Sequence, residues 1–455
     1  MDSVERAARV IDAVRAAGVE EFCVCAGSRN APLLSVLGTS SAKLFSFVDE
    51  RSAAFFALGR IKLHGAPVAV VTTSGTAAAE LLPAAVEAFY ARLPLVLITA
   101  DRPARFRGTG APQSIEQIGI FGVYAETDLA TWTRTRPLHL NVELEEMYVG
   151  RASARPGGLK PALRSAPLVI LGALAEKHRD FVKSRVNAPV YAECLSGLRE
   201  DPALNHVRVI RNVGFDSVIR IGNVPTLRFW RDLETLDVPV THYSDIPLAG
   251  LTRGDVRPIE ELPRIDGPHV DQSDFDEKLT RIFEDEPQSE LAMIRKLSEE
   301  LPEKSRVYLG NSLPIREWDL AATRKPRGFV YEANRGANGI DGQLSTFFGW
   351  CAPHADNVCI LGDLTTLYDL GAPWIAPQLD ARFRIVVINN GGGRIFGRVA
   401  SLRALDPQLR ARIIENEHGI TFEQWAKMWN IDVVELRPDA EASRRAWERY
   451  DALCS

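Results

Sequence analysis

Short apolar runs without polar alternation, each followed by a helical pattern, constrain the fold of this chain more than any other feature. Between residues 20 and 100 the apolar runs are EEFCVCAG, KLFSFVDE, PVAVVTTS and PLVLITAD. Helical stretches such as RSAAFFALGRIKLHG lie between them. Strands that are buried on both faces and joined by helices form parallel sheets. The pattern therefore predicts an α/β fold with functional residues at the carboxyl ends of its strands.

The same pattern returns after residue 300, and a weaker version lies between the two. The later strands are RVYLGNS, GFVYEAN, NVCILGD and FRIVVINN, and the middle ones are PLVILGA, APVYAE, SVIRIGN and PVTHYSD. A chain of 455 residues exceeds what one core usually organises, and charged, proline-containing segments near 151–166 and 255–273 are candidate linkers. We predict three domains, with two outer parallel-sheet domains at 1–165 and 269–455 and a smaller α/β middle domain at 166–268.

The net charge and the hydropathy pattern argue against two kinds of binding partner, nucleic acid and membranes. The formal net charge of −5 gives no electrostatic reason to expect nucleic acid or an anionic membrane. No apolar run approaches the length of about 20 residues that a membrane span needs. The first residues, MDSVERAARVIDAVRAAG, form an amphipathic pattern with Val4, Ala8, Ile11 and Val14 on its apolar face, unlike a signal peptide.

The six cysteines and eight histidines show no metal or disulfide spacing. Cys23 and Cys25 alternate along one buried strand, so both are expected on the same face as a packed, reduced thiol pair. We therefore expect a cytoplasmic protein.

Two polar clusters in the C-terminal third follow apolar strands and would lie on the same edge of one sheet. One is Gly-Asp at the end of NVCILGD, and the other is Asn-Asn at the end of FRIVVINN together with the three glycines that follow it. Carboxylate, amide and carbonyl oxygens are hard ligands that suit Mg²⁺, which also takes phosphate oxygens and water. A helix predicted after Leu364 would direct its first N–H groups at a phosphate. The predicted metal ligands are Asp363, Asn390 and Gly392.

Either cluster by itself would be an ordinary turn or loop, and a dinucleotide site is the competing interpretation of the pair. No G-x-G-x-x-G opens the first helix, and GGGRIF lacks the third glycine. The sequence also has no G-x-x-x-x-G-K-[ST] for a nucleoside triphosphate. These absences favour a magnesium and phosphate site of another kind.

The two clusters, together with a Glu in the N-terminal domain, resemble the thiamine-diphosphate enzyme superfamily. The closer resemblance is to its family of 2-succinyl-5-enolpyruvyl-6-hydroxy-3-cyclohexene-1-carboxylate synthases (SEPHCHC synthases) of menaquinone biosynthesis. It covers most of both outer domains in the segments CAGSRNAPL (25–33), DERSAAFFALG (49–59), TTSGTAAAELLPAAVEA (72–88), ITADRP (98–103), APQSIEQIGIFG (111–122), GNSLPIREWD (310–319), NRGANGIDGQLST (334–346), LGDLTTLYDL (361–370) and VINNGGGRIF (387–396). The middle domain matches poorly and is short for the family. Ala26 stands where the family usually has Pro, Pro112 where Asn is common, and Gly391 where a third Asn is usual.

The resemblance implies thiamine diphosphate and Mg²⁺ as cofactors, with Mn²⁺ as an alternative ion. Glu50 would hydrogen-bond a ring nitrogen of the aminopyrimidine and favour the tautomer that removes the thiazolium proton. A partly buried carboxylate at the end of KLFSFVDE suits this role, although by itself it would read as a helix N-terminal Glu. Ile340 matches the bulky apolar residue that bends the cofactor. The implied cofactor-binding residues are Glu50, Ile340, Gly362, Asp363, Leu364, Thr365 and Asn390.

Arginines indicate the substrate class. Active sites of parallel sheets gather at strand ends, and the loops there contain Arg29, Arg102, Arg316 and Arg335. A lone loop Arg is usually a solvated surface residue, but four within the resembling segments suggest a pocket for several carboxylates, which guanidinium groups bind through paired hydrogen bonds. Because the four come from both outer domains, the pocket is predicted where these domains meet across a subunit interface.

By resemblance the same pocket contains further residues, namely Ser28, Gln113, Ser312, Ile395 and Phe396. Catalytic roles would fall to Glu50, Gln113, Arg316 and Arg335. Proline at position 112 removes one polar contact, since it has neither a side-chain amide nor an N–H. Arg253 is the candidate for the basic contact that the family draws from the middle domain.

The resemblance implies decarboxylation of 2-oxoglutarate and addition of the succinyl carbanion to isochorismate, in a homodimer or homotetramer. Two alternatives stay open. The first is another thiamine-diphosphate 2-oxo acid decarboxylase or lyase. A substrate with one carboxylate would need fewer arginines than this sequence offers, and Leu364 also argues against this alternative. A non-catalytic relative of the fold is compatible with the short middle domain, but such a protein has no physical reason to keep Glu50, Asp363 and Asn390.

Overall fold

The structure is a computed structural model that describes residues 2–145, 166–210, 213–227, 229, 233, 238–250, 252, 254–398 and 406–454. The chain forms two compact units. The first unit comprises Met1–Arg151, Gly336–Asp341 and Gly391–Ile420, and the second unit comprises Ala152–Arg335, Gly342–Asn390 and Thr421–Ser455. The three predicted domain boundaries stay predictions, and the one at residue 165 lies outside the described residues.

Strands and helices follow the predicted α/β pattern. The strands are β1 (Glu21–Cys25), β2 (Lys43–Phe47), β3 (Val68–Thr72), β4 (Leu95–Asp101), β5 (Leu138–Glu143), β6 (Pro167–Leu171), β7 (Val186–Asn187), β8 (Val190–Ala192), β9 (Ser217–Ile221), β10 (Val240–Tyr243), β11 (Val256–Arg257), β12 (Ile265–Asp266), β13 (Arg306–Leu309), β14 (Val330–Glu332), β15 (Asn357–Gly362), β16 (Phe383–Ile388) and β17 (Val433–Leu436). The helices are α1 (Ser3–Ala16), α2 (Ala31–Gly38), α3 (Glu50–His64), α4 (Thr76–Ala79), α5 (Leu82–Ala91), α6 (Glu176–Arg185), α7 (Ser273–Asp285), α8 (Glu290–Glu300), α9 (Leu313–Ala321), α10 (Gln343–Trp350), α11 (Asp363–Tyr368), α12 (Pro407–Ile413), α13 (Glu423–Trp429) and α14 (Ala440–Leu453).

The predicted parallel sheets are confirmed, because every strand pairing among the described residues is parallel. The first unit contains the sheet β2–β1–β3–β4–β5. The second unit contains the middle sheet β11–β10–β9–β6–β8, the third sheet β14–β13–β15–β16–β17 and the short pair β12–β7. Each five-stranded sheet has the same topology, with its second strand outside its first and the later strands on the other side. The strand order therefore reverses between β1 and β3, between β6 and β9, and between β13 and β15, and such switch points are where ligands bind in open α/β sheets.

Strand β1 shows why the apolar runs lack polar alternation. Phe22 and Val24 pack into a core cluster with residues of α1 and α2, whereas Cys23 and Cys25 pack into a second cluster with residues of α3 and α5. The prediction that both thiols share one face is thus confirmed. Burial raises the pKa of Cys23 to about 12 and that of Cys25 well above its usual range, so both thiols stay protonated at neutral pH.

Helix α1 is confirmed, but its predicted apolar face is partly wrong. Ile11 and Val14 are buried as expected, while Val4 is 38% exposed and Ala7 is fully buried in its place. Ala7 lies one turn before Ile11 on the buried face, whereas Val4 lies in the first turn, where residues 4–6 are all exposed.

The helix predicted after Leu364 is also different in the structure. Helix α11 begins two residues earlier, at Asp363, and ends at Tyr368, and the 3₁₀ helix Ala372–Gln378 follows it. Gly371 and two prolines within TTLYDLGAPWIAPQL explain the early end, because proline cannot donate an intrahelical hydrogen bond. Among the described residues no helix has both the length and the apolar character needed to cross a membrane.

Candidate active site

In the first unit the switch point lies between the loops that follow β1 and β3. Asn30 organises the β1 loop: its Oδ1 accepts from Gly27 N at 2.9 Å, and its Nδ2 donates to the Cys25 carbonyl at 2.8 Å. A Cβ on Gly27 would lie 2.4 Å from the Thr73 side chain, so only glycine allows the two loops to approach this closely. The structure therefore places Ser28 at a tightly built strand end, where it is partly exposed.

The loop after β3 presents hydroxyl groups at the same switch point. Thr73 Oγ1 and Ser74 Oγ are buried and have no hydrogen-bond partner among the described residues. Thr76 next to them donates from Oγ1 to Asp341 at 2.6 Å. These hydroxyls were not predicted from the sequence, although TTSGT lies within a resembling segment. Buried hydroxyls without partners are costly, which makes them candidate ligand contacts.

Glu50 is the first residue of α3 and is only 8% exposed. Thr72 Oγ1 donates to Glu50 Oε1 at 3.5 Å. The preceding residue, Asp49, caps the helix by accepting from the Ser52 N–H at 3.1 Å. Because Asp49 serves as the cap, the Glu50 carboxyl group is not needed for that structural role.

Two of the four predicted substrate arginines lie in the first unit and are nearly buried. Arg29 Nη1 donates to the Leu144 carbonyl at 3.0 Å. Arg102 follows β4, and its Nε donates to the Pro112 carbonyl at 2.8 Å. Pro112 thus offers no polar side chain but still orients Arg102 through its main-chain carbonyl.

Four further predicted residues of the first unit lie in three separate segments of the chain. Gln113 has a positive φ of 54°, and its N–H donates to the Ala337 carbonyl at 3.0 Å. Ile340 is partly buried in the Gly336–Asp341 segment. Ile395 and Phe396 lie in the 3₁₀ helix Arg394–Arg398, and Phe396 packs against the core of this unit.

Gly392, the third predicted metal ligand, belongs to the first unit. Its φ is 137°, and a Cβ there would lie 2.6 Å from the Glu415 carbonyl. The neighbouring Gly393 N–H donates to the same carbonyl at 2.6 Å. Glycine at 392 is therefore required by backbone geometry and by close packing.

In the second unit the structure brings Asp363 and Asn390 to one edge of the third sheet. They follow the adjacent strands β15 and β16, which pair Gly362 with Ile388. Asp363 is 3% exposed, and its Oδ1 accepts from the Leu364 N–H at 2.7 Å. Gly362 ends β15, and Thr365 is buried within α11. The predicted common edge is thus present, while the ligand roles stay predictions.

Two buried carboxyl groups beside this edge were not predicted. Glu290 opens α8 and accepts from Asn390 Nδ2 at 3.1 and 3.2 Å. Burial raises the pKa of Glu290 and the Asp363 carboxylate adds to this, against hydrogen bonds from Glu317 and Asn390. Glu317 is fully buried within α9. No local signal distinguishes Glu290 from an ordinary helix N-terminal Glu.

The switch point of the third sheet also contains the other two predicted arginines. Asn311 follows β13, and its Oδ1 accepts from Arg335 Nη1 at 2.6 Å. Ser312 has a positive φ of 75° at the start of α9, and its carbonyl accepts from Arg316 Nη1. Burial, and then the charge of Arg316, lower the pKa of Arg335 to about 10. Arg335 Nε is buried and makes no hydrogen bond among the described residues.

The predicted site residues therefore form two groups, one at the strand ends of each unit. The candidate contact from the middle region, Arg253, lies outside the described residues. The first group offers a buried carboxyl and several hydroxyls. The second offers oxygen ligands for a cation next to a pair of guanidinium groups.

Comparisons with known proteins agree with this chemistry. Residues 5–120 match the family model of the thiamine pyrophosphate enzyme N-terminal TPP binding domain. The whole chain is 40% identical to a 2-succinyl-5-enolpyruvyl-6-hydroxy-3-cyclohexene-1-carboxylate synthase of Bdellovibrio bacteriovorus, with 100% of this chain and 99% of the relative covered. Relatives of the same name from Akkermansia muciniphila and Chloroflexus aurantiacus are 37% and 31% identical, over 92% and 93% of this chain and 89% and 87% of their own lengths. The first alignment extends over 540 residues, more than the 455 of this chain, so that relative contains segments absent here.

Proposed function

Because the chain belongs to the family of SEPHCHC synthases, which depend on thiamine diphosphate, we propose that it decarboxylates 2-oxoglutarate and joins the remaining succinyl unit to isochorismate. This is a transferase reaction that forms a carbon–carbon bond in menaquinone biosynthesis and releases CO₂. Both substrates carry two carboxylates, so a binding site for them must offset several negative charges.

The observation that carries this proposal is the pair Arg316 and Arg335 at the switch point of the third sheet. The two guanidinium groups repel each other. Burial is the main cause of the lowered pKa of Arg335, and the charge of Arg316 is the second cause. A buried donor on Arg335 that has no partner among the described residues suits a carboxylate oxygen. Anionic substrate would offset the repulsion and satisfy this donor.

The residues at the edge of the third sheet fit Mg²⁺ or Mn²⁺. Asp363 supplies a nearly buried carboxylate, and the amide nitrogen of Asn390 faces Glu290, so its oxygen is directed to the other side. Burial is the main cause of the raised pKa of Glu290, and the charge of Asp363 adds to it, so a cation held by Asp363 would offset negative charge at this edge. We propose that Asp363 and Asn390 hold the metal ion, and that Gly362, Leu364 and Thr365 lie against the diphosphate.

When bound, thiamine diphosphate would supply a nucleophilic carbon for the 2-oxo acid and a ring that takes up the electron pair left by the departing CO₂. Glu50 would hold a proton at a ring nitrogen of the aminopyrimidine, and burial keeps water from competing for that proton. Ile340 would support the bent shape of the cofactor. Gln113 and the four arginines would bind and orient the two substrates.

We also propose self-association, as a homodimer or homotetramer, in the cytoplasm. The first unit exposes aromatic and aliphatic side chains around α5, with Tyr90 and Val123 each 73% exposed and Tyr124 in contact with the Tyr90 ring. Exposed apolar patches of this kind are typical of protein interfaces. No cysteine among the described residues forms a disulfide, which suits a reducing compartment. Sedimentation equilibrium should give at least twice the chain mass of 50.2 kDa, and a monomer at all concentrations would contradict this proposal.

The reaction is tested with purified protein, Mg²⁺, thiamine diphosphate, 2-oxoglutarate and isochorismate, by following isochorismate consumption and the product by mass spectrometry. The expected result is a product that requires both substrates. A preference for pyruvate over 2-oxoglutarate would favour another 2-oxo acid decarboxylase or lyase. Binding of cofactor without turnover of any 2-oxo acid would favour a non-catalytic relative.

A further inference from the structure

Arg199 is a fully buried arginine of the second unit that no prediction from the sequence included. It follows β8 and the 3₁₀ turn Cys194–Ser196. Its guanidinium donates hydrogen bonds of 2.8–3.2 Å to main-chain carbonyls at the end of α9, namely those of Trp318, Asp319, Ala322 and Thr323. The last carbonyls of a helix lack intrahelical partners and carry partial negative charge. Arg199 therefore fixes the C-terminal end of α9.

Helix α9 has predicted substrate residues at its opposite end. Ser312 immediately precedes the helix, and Arg316 in the first turn donates to the Ser312 carbonyl. A second anchor holds the same helix, because Asp319 Oδ1 accepts from the Cys194 N–H at 2.6 Å. The position of Arg316 thus depends on contacts with the segment that contains Arg199.

The same segment reaches the strand that precedes Arg335. Glu200 Oε1 accepts from Arg199 Nη1 at 2.7 Å and from the Tyr331 hydroxyl at 3.0 Å. Tyr331 lies in β14, and four residues later Arg335 donates to Asn311. Arg199 and Glu200 therefore connect the helix of Arg316 to the strand that precedes Arg335.

We propose that Arg199 is a positioning residue that holds Arg316 and Arg335 in register for one substrate carboxylate. This inference rests on the proposed function, in which that pair binds substrate. The physical need follows from charge: two neighbouring guanidinium groups repel each other and separate unless the elements that carry them are tied together. A small separation removes paired hydrogen bonding to a carboxylate while leaving the cofactor ligands of the third sheet in place.

The experiment compares Arg199→Lys and Arg199→Met with the same changes at Arg220. Arg220 is a matched control, since it is also fully buried, lies in β9 of the middle sheet and donates to the main-chain carbonyl of Leu248. Measurements are the KM of each substrate, kcat, the Kd of thiamine diphosphate by calorimetry, and Tm. Arg316→Ala is expected to raise the KM of one substrate. Arg199→Lys should raise that same KM by about tenfold, and Arg199→Met should raise it further. The Kd of the cofactor should be unchanged, and neither Arg220 variant should alter KM selectively.

A double-mutant cycle separates positioning from general stability. The effect of Arg199→Lys on KM should largely disappear in the Arg316→Ala background, because the group to be positioned is gone. If Arg199→Met does not fold, Tyr331→Phe removes only the hydroxyl that contacts Glu200 and should raise the same KM by a smaller factor. The inference is overturned if Arg199 and Arg220 variants change KM equally, or if the effect persists undiminished without Arg316. A wild type that fails to join 2-oxoglutarate to isochorismate would instead refute the proposed function.

Discussion

The middle and third sheets have the same strand order, but their switch points are built differently. In the middle sheet the loops after β6 and β9 touch, because the Asn223 N–H donates to the Ala173 carbonyl at 2.8 Å. A Cβ on Gly172 would lie 2.1 Å from the Asn223 carbonyl. In the third sheet the corresponding loops instead present Ser312 and Asp363 at the strand ends. A shared topology therefore supplies a position for a site, and the loop residues decide whether main chain fills it or functional side chains line it.

The middle sheet contributes in another way, through the segment that follows β8. Arg199 and Glu200 there contact α9 and β14 of the third sheet. The loops of the third sheet thus contain residues that would touch ligand, whereas the segment after β8 contains residues that support them. Four experiments test this separation, from the largest expected effect to the smallest.

Asp363→Ala should abolish thiamine-diphosphate binding in the presence of Mg²⁺, because it removes the proposed carboxylate ligand of the metal. Calorimetry measures the affinity, and circular dichroism checks that the fold is intact. Asn223→Ala at the switch point of the middle sheet is the matched control and should bind the cofactor like the wild type. Unchanged affinity in Asp363→Ala would remove the proposed metal site.

Glu50→Gln should bind the cofactor but lose turnover by a factor on the order of 10²–10⁴, since an amide cannot exchange the proton that a carboxyl group exchanges. Exchange of the thiazolium proton, followed by NMR, measures this step directly. Asp49→Asn is the control, because it keeps the side-chain oxygen that caps α3 and should leave exchange unaffected. Exchange at the wild-type rate in Glu50→Gln would show that Glu50 is misassigned.

Single Arg→Ala changes at the predicted substrate arginines should weaken the use of one substrate, either isochorismate or 2-oxoglutarate. The KM of that substrate should rise roughly ten- to a hundredfold, equivalent to about 1.5–3 kcal/mol per charge-assisted contact. The affected substrate should differ between Arg29, Arg102, Arg316 and Arg335. Tm should stay close to that of the wild type. Equal loss with every substrate together with a lower Tm would indicate a structural role instead.

Glu193→Gln should change how stability depends on pH. Burial, and then the Asp319 carboxylate, raise the pKa of Glu193 to about 7, against the opposing charge of Arg335. A carboxyl group with a raised folded pKa stabilises the fold below its ordinary pKa of 4.5, and this contribution is lost as the pH rises through about 7. The amide does not ionise and keeps an oxygen for the Thr226 N–H. Between pH 5 and pH 8 the variant should therefore gain at least about 1 kcal/mol relative to wild type.

Chemical denaturation at several pH values measures this difference in the free energy of unfolding. Glu286→Gln is a control of opposite sign, because a hydrogen bond from Arg445 lowers the pKa of Glu286. A pH-independent difference between Glu193→Gln and wild type would contradict the raised pKa.

Much of the fold was predictable from local patterns. Strands such as β1 and β16 are short apolar runs, and parallel pairing follows because both faces are buried, as the two clusters around Cys23 and Phe22 show. The common edge of Asp363 and Asn390 also follows from sequence order, since adjacent parallel strands end together. The length of α11 and the buried face of α1 were less predictable. The first depends on where glycine and proline interrupt a helix, and the second on which residues the sheet covers.

The sequence by itself determined the α/β class, the strand ends that carry polar residues, and the family to which those residues point. Only the tertiary structure identified Arg199, the buried contact between Glu290 and Asn390, and the closed switch point of the middle sheet. Each of these depends on groups that are far apart in the chain, as Arg199 and the Thr323 carbonyl are. A local pattern records the periodicity of burial along one element, whereas hydrogen bonding and shifts in pKa arise from which elements pack together.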